Sequence, residues 1–291
     1  MTDVDISLII PCYNEEKNIE ALLTKICADE FLKNVEIIVV NDGSKDNTGS
    51  ILKKFSNISV LTHPTNFGYG QALITGMKSA NRSNIVWVDG DGQHQIEDVV
   101  RLSKNLLPEE VDFVIGERGK SSLQSGSRVL GKYFLRVLVK FSGVTTIHDF
   151  NSGLRGFKTK VIQKYWHLLK GGFGASTTTT LILDGRGYFG KCIEITTLER
   201  DGHSSLNQVS DGFRTLLLII RSMLLFRPLK FFLSIGFLFL FSGLSYGLII
   251  TFNEGTGFPV FGAILFITGV LTLLLGLVSD QISQLRLEKF E

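Results

Sequence analysis

The chain has 291 residues, 44% of them hydrophobic and 20% charged, with three cysteines. That composition excludes a disordered segment, a collagen-like repeat and a disulfide scaffold, and a formal charge of +2 gives no global pull toward nucleic acid. The apolar residues are unevenly spread, because Glu254 is the only charged side chain from position 231 to 279. A domain of ordinary charge density over residues 1–210 followed by an apolar anchor is therefore expected, and a many-span transporter is not.

In chain order, Asp3 and Asp5 precede a short apolar run that Pro11 ends. This is not the pattern of a signal peptide, so the domain is expected to stay on the side where it is made. Cys12, Cys27 and Cys192 lack the paired spacing of a zinc or redox motif, as suits reduced thiols. Residues 6–10, 35–40, 58–62, 85–88 and 111–115 are short runs rich in Val and Ile, as expected for strands buried on both faces. Helix-length segments near 15–27, 46–55, 69–80 and 96–106 lie between them. The alternation predicts an α/β fold with a Rossmann-like, mostly parallel sheet, whose ligand crevice lies beyond the carboxyl ends of its strands.

Polar clusters fall at those ends. Pro11-Cys12-Tyr13-Asn14-Glu15-Glu16 follows the first strand, Asn41-Asp42-Gly43-Ser44 the second, and Asp89-Gly90-Asp91-Gly92-Gln93-His94 the fourth. The Gly-rich dinucleotide fingerprint and the Walker phosphate loop are both missing from the chain. Asp89 and Asp91, with Gln93 at the next alternate position, offer hard oxygen ligands suited to Mg²⁺ or Mn²⁺ carrying a diphosphate. An Asp-Gly-Asp is also a common turn, but its place after a buried strand and opposite two other polar ends favours the ligand reading. Asp42 and Ser44 are equally suited to cap a helix, and Gly68 and Gly70 to shape a loop. His94 reads either as a diphosphate contact or as a solvated loop residue, while Trp87 and Phe113 read as core.

Residues 211–230 interleave Arg214, Arg221, Arg227 and Lys230 with leucine and isoleucine. They read as an amphipathic helix lying on a bilayer, or as a plain linker. Residues 231–252 and 258–279 are each 22 residues without a charge. At ~1.5 Å per residue each would cross a hydrocarbon layer of ~30 Å, and the short linker makes the pair a hairpin within 231–291. Basic residues precede it and Arg286 and Lys289 follow it, with none in the turn, so the domain and both termini are expected in the cytoplasm.

These motifs are joined by Asn66-Phe67-Gly68-Tyr69-Gly70-Gln71-Ala72, Asp149-Phe150-Asn151-Ser152-Gly153-Leu154-Arg155 and Glu199-Arg200-Asp201-Gly202-His203-Ser204. In order and spacing the set resembles the family 2 glycosyltransferases of the GT-A fold, and within them the polyprenyl-phosphate glycosyltransferases and dolichol-phosphate mannose synthases. The likeness implies an inverting transferase that moves a sugar from a UDP- or GDP-hexose to undecaprenyl or dolichyl phosphate. It implies that Pro11, Tyr13, Glu15, Asp42, Gly68, Gln71 and Asp89 bind the nucleotide sugar. Asp89, Asp91 and Gln93 would hold the metal, and Asp89, Asp91, Asp149 and Arg155 would be catalytic. Arg118, Arg128 and Arg200 would bind the acceptor phosphate, which has a second pKa of about 6 and needs cations rather than a base. Arginine forks suit phosphate, although each of these arginines also suits a surface ion pair and Asp149 a turn.

Three departures bear on this reading. Ser204-Ser205-Leu206 stands where many relatives have Ser-Lys-Leu, so one expected cation is missing. Ala175-Ser176-Thr177-Thr178-Thr179-Thr180 replaces an acidic stretch, which disfavours a dedicated base for a hydroxyl acceptor. No Gln-x-x-Arg-Trp motif is present, so chain polymerisation is not expected. Two alternatives remain: transfer to a hydroxyl of a lipid or lipid-linked glycan, and a catalytically inactive nucleotide-sugar-binding membrane subunit. The implied partners are a nucleotide sugar, a polyprenyl phosphate and the bilayer, without nucleic acid, and a homo-oligomer is compatible with the reading.

Overall fold

The computed structural model describes residues 4–119, 149, 152–169, 174–197 and 228–288. It divides into an α/β domain and a helical hairpin. In the domain, β1 (Ile6–Cys12), β2 (Glu36–Asn41), β3 (Ser59–Thr62), β4 (Asn84–Trp87), β5 (Phe113–Arg118), β6 (Arg155–Lys158) and β7 (Gly190–Ile195) form one sheet in the order β3-β2-β1-β4-β6-β5-β7. β6 is antiparallel to both its neighbours, and the other six strands run one way. The carboxyl ends of β1, β2, β4 and β5 therefore share an edge, and the chain enters β6 from that same edge. This is what brings Asp149 and Ser152 to Arg155 alongside the clusters predicted at the other strand ends.

β-branched side chains pack well on a pleated surface, and β1, central in the domain, is buried at every position. On one face Ile6, Leu8 and Ile10 meet Ile19, Leu22, Leu23 and Ile26 of α1 (Ile19–Ala28) and Val99, Leu102 and Leu106 of α4 (Ile96–Leu106). The α1 set repeats at i, i+3, i+4 and i+7, the apolar stripe of a helix lying on a core. On the other face α3 (Tyr69–Ser79) brings Ala72 onto Ile38 and Val40, and a Cβ on its Gly76 would lie 2.5 Å from Ile9 Cγ2. Helices α2 (Thr48–Leu52), α5 (Thr159–Ile162) and α6 (Ala175–Gly185) complete the described domain. Trp87 packs against Phe157 at 4.6 Å between ring centroids, and Phe113 covers Gly190 of the paired strand, so both aromatics are core as expected. The expectation of burial on both faces fails at β3, where Val60 is 39% exposed, because β3 is an edge strand.

The hairpin consists of α7 (Pro228–Glu254) and α8 (Val260–Glu288). α7 exceeds its predicted span at both ends, with Pro228 to Lys230 already helical, whereas α8 begins two residues later than predicted and runs nine further; residues 211–227 lie outside the described residues. Pro228 at the first helical position uses an amide that has no partner there in any case. Gly236 and Gly243 face Gly269 and Gly262 across the pair, and a Cβ on Gly269 would meet the Leu240 backbone nitrogen at 2.5 Å. Small residues at such a seam let two backbones approach closely. The large apolar side chains point outward instead, with Leu238, Phe241, Ile249 and Ile264 all more than half exposed. Helices apolar on the outside suit hydrocarbon surroundings rather than water.

At the amino end of β2 the Glu36 carboxylate accepts hydrogen bonds from the Ser7 hydroxyl and from Asn81 N and Nδ2 at 2.9 and 2.7 Å, tying β1, β2 and the turn after α3 together. Burial opposes its ionisation, but these donors and the charge of Arg82 outweigh it and lower its pKa. A depressed carboxylate pKa stabilises the fold above the unfolded-state value near 4, and that contribution is lost as pH falls through the folded-state value. Glu36→Gln should therefore lower the thermal midpoint at pH 7, with the gap to wild type closing as the pH falls below about 4. A pH series of thermal unfolding curves in detergent checks this, and a gap that stays constant would contradict it.

Candidate active site

The loop after β1 and the loop after β2 are stitched together by reciprocal hydrogen bonds. Asn14 N donates to Ser44 Oγ at 3.0 Å while Lys45 N donates to Asn14 Oδ1 at 2.8 Å. Glu15 N donates to Thr48 Oγ1, Glu16 N to Asp46 Oδ2, and Asn47 N to Glu16 Oε2. Asn14 takes a left-handed conformation, φ 55°, which Asn tolerates better than most residues and which these bonds hold. Tyr13 is thereby presented on a fixed loop with 41% of its surface exposed, available as a stacking platform. Pro11 is buried within β1, and Glu15 is also buried, its carboxylate accepting from Asn18 Nδ2 at 2.9 Å. Of the residues expected to line a nucleotide pocket from this loop, Tyr13 is therefore the open one.

Asp42, at the end of β2, is 3% exposed and accepts three protein donors. His63 Nδ1 and Phe67 N reach Oδ1 at 2.6 and 2.9 Å, and Gly68 N reaches Oδ2 at 2.8 Å. The helix-capping alternative for Asp42 is not borne out: the amides it holds, Phe67 N and Gly68 N, precede α3, and α2, the next helix after it, begins only at Thr48. Gly43, φ +69°, lies against this loop so closely that a Cβ would meet the Thr65 carbonyl carbon at 2.4 Å. Gly68, φ +92°, is the residue before α3, and Gln71 lies in the first turn, half-buried. Tyr69, the first residue of α3, donates its hydroxyl to Asp89 Oδ1 at 2.8 Å.

Asp89 stands just past the end of β4 with 30% of its side chain exposed. Burial opposes its ionisation, but His94, the Tyr69 hydroxyl and the charge of Arg118 outweigh this and lower its pKa. Asp91 Oδ1 accepts Gln93 N at 3.1 Å, closing a small Asx turn around Gly92, φ +70°. Asp91 also borders an open crevice of about 710 Å³ between α1 and the start of α4, beside Lys17, Lys25, His94 and Glu97. His94 is buried, not solvated: its Nε2 lies 3.8 Å from Asp89 Oδ2 and its backbone bridges to Thr197. The oxygen donors of Asp89, Asp91 and Gln93 sit on one short loop, and among the described residues no three His, Cys, Asp or Glu side chains make a closed metal cage. A divalent ion at this loop would need further ligands from a bound phosphate or water.

On the other side of Asp89, Arg118 forms a bidentate pair with Asp149, Nε to Oδ2 at 2.7 Å and Nη2 to Oδ1 at 2.9 Å. The hydrogen bond to Asp149 raises the Arg118 pKa. Arg118 keeps 34% of its side chain exposed while Asp149 keeps 7%, so the arginine offers the more open surface. Arg155, expected from the resemblance to be catalytic, is fully buried. It donates to the Ser152 carbonyl at 2.7 Å, to the Asp149 carbonyl at 3.4 Å and to the hydroxyls of Thr179 and Thr180 on α6. Burial pushes its pKa down to about 10, which leaves it charged at neutral pH beneath the carboxylates. The threonine stretch that replaces an acidic one thus supplies neutral partners to a buried cation. Arg128 and Arg200 lie outside the described residues.

Three contributors were missed from the sequence. His63 carried no assigned role, and Tyr69 and Gly153 lay inside motifs without a role of their own. A Cβ on Gly153 would lie 1.8 Å from Asp89 Oδ2, so this glycine fits directly against the carboxylate. Gly153→Ala should displace Asp89 and lower activity by on the order of 100-fold, with circular dichroism unchanged. Wild-type turnover by a folded Gly153→Ala protein would show that Asp89 is not held by this contact.

Two family models match the chain: Glycosyl transferase family 2 over residues 7–166 and GtrB C-terminal hairpin over residues 227–285. The UDP-N-acetylglucosamine–dolichyl-phosphate N-acetylglucosaminyltransferase of Methanococcus voltae is 30% identical over 186 residues, 56% of this chain and 73% of that protein. A dolichyl-phosphate beta-glucosyltransferase of Trichomonas vaginalis is 32% identical over 182 residues, and the match covers 53% of this chain and 53% of that longer protein. Glucosyl-3-phosphoglycerate synthase from Mycobacterium tuberculosis, in complex with Mn²⁺, UDP and glucosyl-3-phosphoglycerate, shares the fold. Its TM-score is 0.55 at 19% identity, covering 75% of this chain and 78% of that one.

Proposed function

The chain belongs to glycosyl transferase family 2, and on that premise we propose a membrane-anchored, inverting enzyme that moves one hexose-type sugar from a UDP- or GDP-sugar to a polyprenyl phosphate at the cytoplasmic face. Tyr13 would stack on the base. Asp42 Oδ2, which has one protein donor, would accept from a base N–H or a ribose hydroxyl. Asp89, Asp91 and Gln93 fit an ion such as Mg²⁺ or Mn²⁺, since the set is all oxygen and Asp89 is held ionised. An ion held there would supply Lewis acidity to offset charge on a departing nucleoside diphosphate. The Mycobacterium tuberculosis structure, which holds Mn²⁺ with UDP, supports this choice of ion class.

The acceptor class follows from the Arg118–Asp149 pair. A hydroxyl acceptor must lose its proton to a base, and the carboxylate best placed for that, Asp149, is gripped by both arms of a guanidinium. Each of its two carboxylate oxygens already accepts one arm of that fork. A lipid monophosphate is already largely dianionic at neutral pH and needs only a positive surface, which Arg118 offers. The dolichyl-phosphate transferases among the relatives support the same acceptor. The basic residues that flank the hairpin, and their absence from its turn, support the cytoplasmic assignment.

The test is to incubate the purified chain with Mn²⁺ or Mg²⁺, undecaprenyl or dolichyl phosphate and a panel of UDP- and GDP-hexoses, and to identify lipid products by mass. A glycosyl phosphoryl lipid is expected from one donor, with no product from diacylglycerol or from the phosphate-free prenol. Asp91→Ala should lower the rate by on the order of 100-fold or more. Product from a hydroxyl acceptor alone would replace this reading, and an Asp91→Ala protein as active as wild type would remove the role given to that loop.

A further inference from the structure

We propose that His63, braced by Thr75, is a positioning residue for the nucleotide donor; the proposal rests on the donor role given above to Asp42. His63 is buried, 9% exposed, and joins two elements that are distant in sequence. Its Nδ1 lies 2.6 Å from Asp42 Oδ1 at the end of β2, and its Nε2 lies 2.9 Å from Thr75 Oγ1 on α3. A carboxylate oxygen accepts, so Nδ1 carries the donated proton, and in the neutral ring Nε2 accepts the Thr75 hydroxyl. The ring is further confined by Phe67, 5.1 Å away between centroids.

The partner count at Asp42 gives this chain its consequence. Oδ1 receives both His63 Nδ1 and Phe67 N, which fills the roughly two acceptor positions of one oxygen. Oδ2 receives Gly68 N alone and keeps a position. The carboxylate is held at both oxygens, and the His63 bond is the one side-chain contact among the three that set where the remaining position points. The same carboxylate also holds the amides of Phe67 and Gly68, directly ahead of Tyr69, whose hydroxyl reaches Asp89. His63 therefore stands behind both ends of a nucleoside diphosphate, the base through Asp42 and the diphosphate through Tyr69 and Asp89. A histidine that merely fills space would affect how much protein folds, but not how well the folded protein binds donor.

The full chain in detergent decides between these with four substitutions: His63→Leu, His63→Asn, Thr75→Val and Thr75→Ser. Dissociation constants for UDP and GDP with Mn²⁺ are measured by calorimetry, together with donor and lipid KM, kcat and the thermal midpoint. Losing a hydrogen bond to a charged group corresponds to about a tenfold loss of affinity, so His63→Leu should weaken nucleoside diphosphate binding and raise donor KM about tenfold, with lipid KM unchanged. His63→Asn, whose amide nitrogen takes the place of Nδ1, should recover most of the loss. Thr75→Val should fall between, and Thr75→Ser should match wild type. If His63→Leu fails to fold, the comparison of His63→Asn with Thr75→Val and Thr75→Ser still reads the effect. Wild-type affinity in a folded His63→Leu protein overturns the proposal, as does equal loss in His63→Leu and His63→Asn with Thr75→Val unaffected. Wild-type protein that binds no nucleoside diphosphate removes the donor reading and the proposal together, whereas binding by wild type and by His63→Leu alike removes the proposal alone.

Discussion

Asp42, Asp89, Asp91 and Asp149 all fall on the carboxyl edge of one sheet, where like charges repel unless donors offset the repulsion. Each carboxylate has its own set. Asp42 has an imidazole and two amides, Asp89 a phenol and the nearby His94, Asp91 the amide of Gln93, and Asp149 the fork of Arg118. Beneath them the fully buried Arg155 remains charged at neutral pH, a fixed positive charge in a low-dielectric layer. The donors come from elements that pack for other reasons, so the placing of these carboxylates depends on the whole sheet order and not on the strand-end loops alone. Polar groups held in this way need little reorganisation when a charged ligand arrives.

Close backbone approach is the second requirement, and glycine meets it. Gly90 carries the end of β4 against β1, where a Cβ would lie 2.9 Å from the Pro11 carbonyl oxygen, and Gly43 and Gly153 do the same against the Thr65 backbone and the Asp89 carboxylate. In each case the neighbour is main chain or a functional oxygen, which cannot move aside without losing its own bonds. The glycines between the acids of the strand-end motifs are thus as much a part of the site as the acids.

The parts of the molecule legible in the sequence were those with a local signature. Val- and Ile-rich runs marked β1 to β5, the polar clusters marked the carboxyl ends of β1, β2 and β4, and the uncharged spans marked α7 and α8. β6 was not legible, because Arg-Gly-Phe-Lys has charged ends and no apolar run, yet all four residues are buried. The burial of Arg155 was not legible either, because arginine is rarely buried whole; here carbonyls and threonine hydroxyls from β6's approach and from α6 are its partners. The His63–Asp42 bond spans 21 residues and the Asp149–Arg118 pair 31, and pairings of that range leave no periodic trace. β3 read as a buried strand because its residues are apolar enough for one; only the sheet order makes it an edge.

The hairpin has a physical logic of its own. Its helices pack on each other through a glycine seam, so their association does not rely on large apolar side chains, which stay on the outside. In lipid there is no hydrophobic force to drive helices together, and close backbone packing supplies the contact instead. On the proposed reading the acceptor carries its reactive phosphate on an isoprenoid chain that stays in hydrocarbon, since each buried methylene contributes about 0.8 kcal/mol to its retention. An enzyme free in water would meet such a substrate only at the bilayer surface, by repeated collision. Joining the transferase domain to a self-contained hairpin in one polypeptide turns that search from three dimensions into two, which is a reason for the anchor to exist that needs no contact between it and the nucleotide.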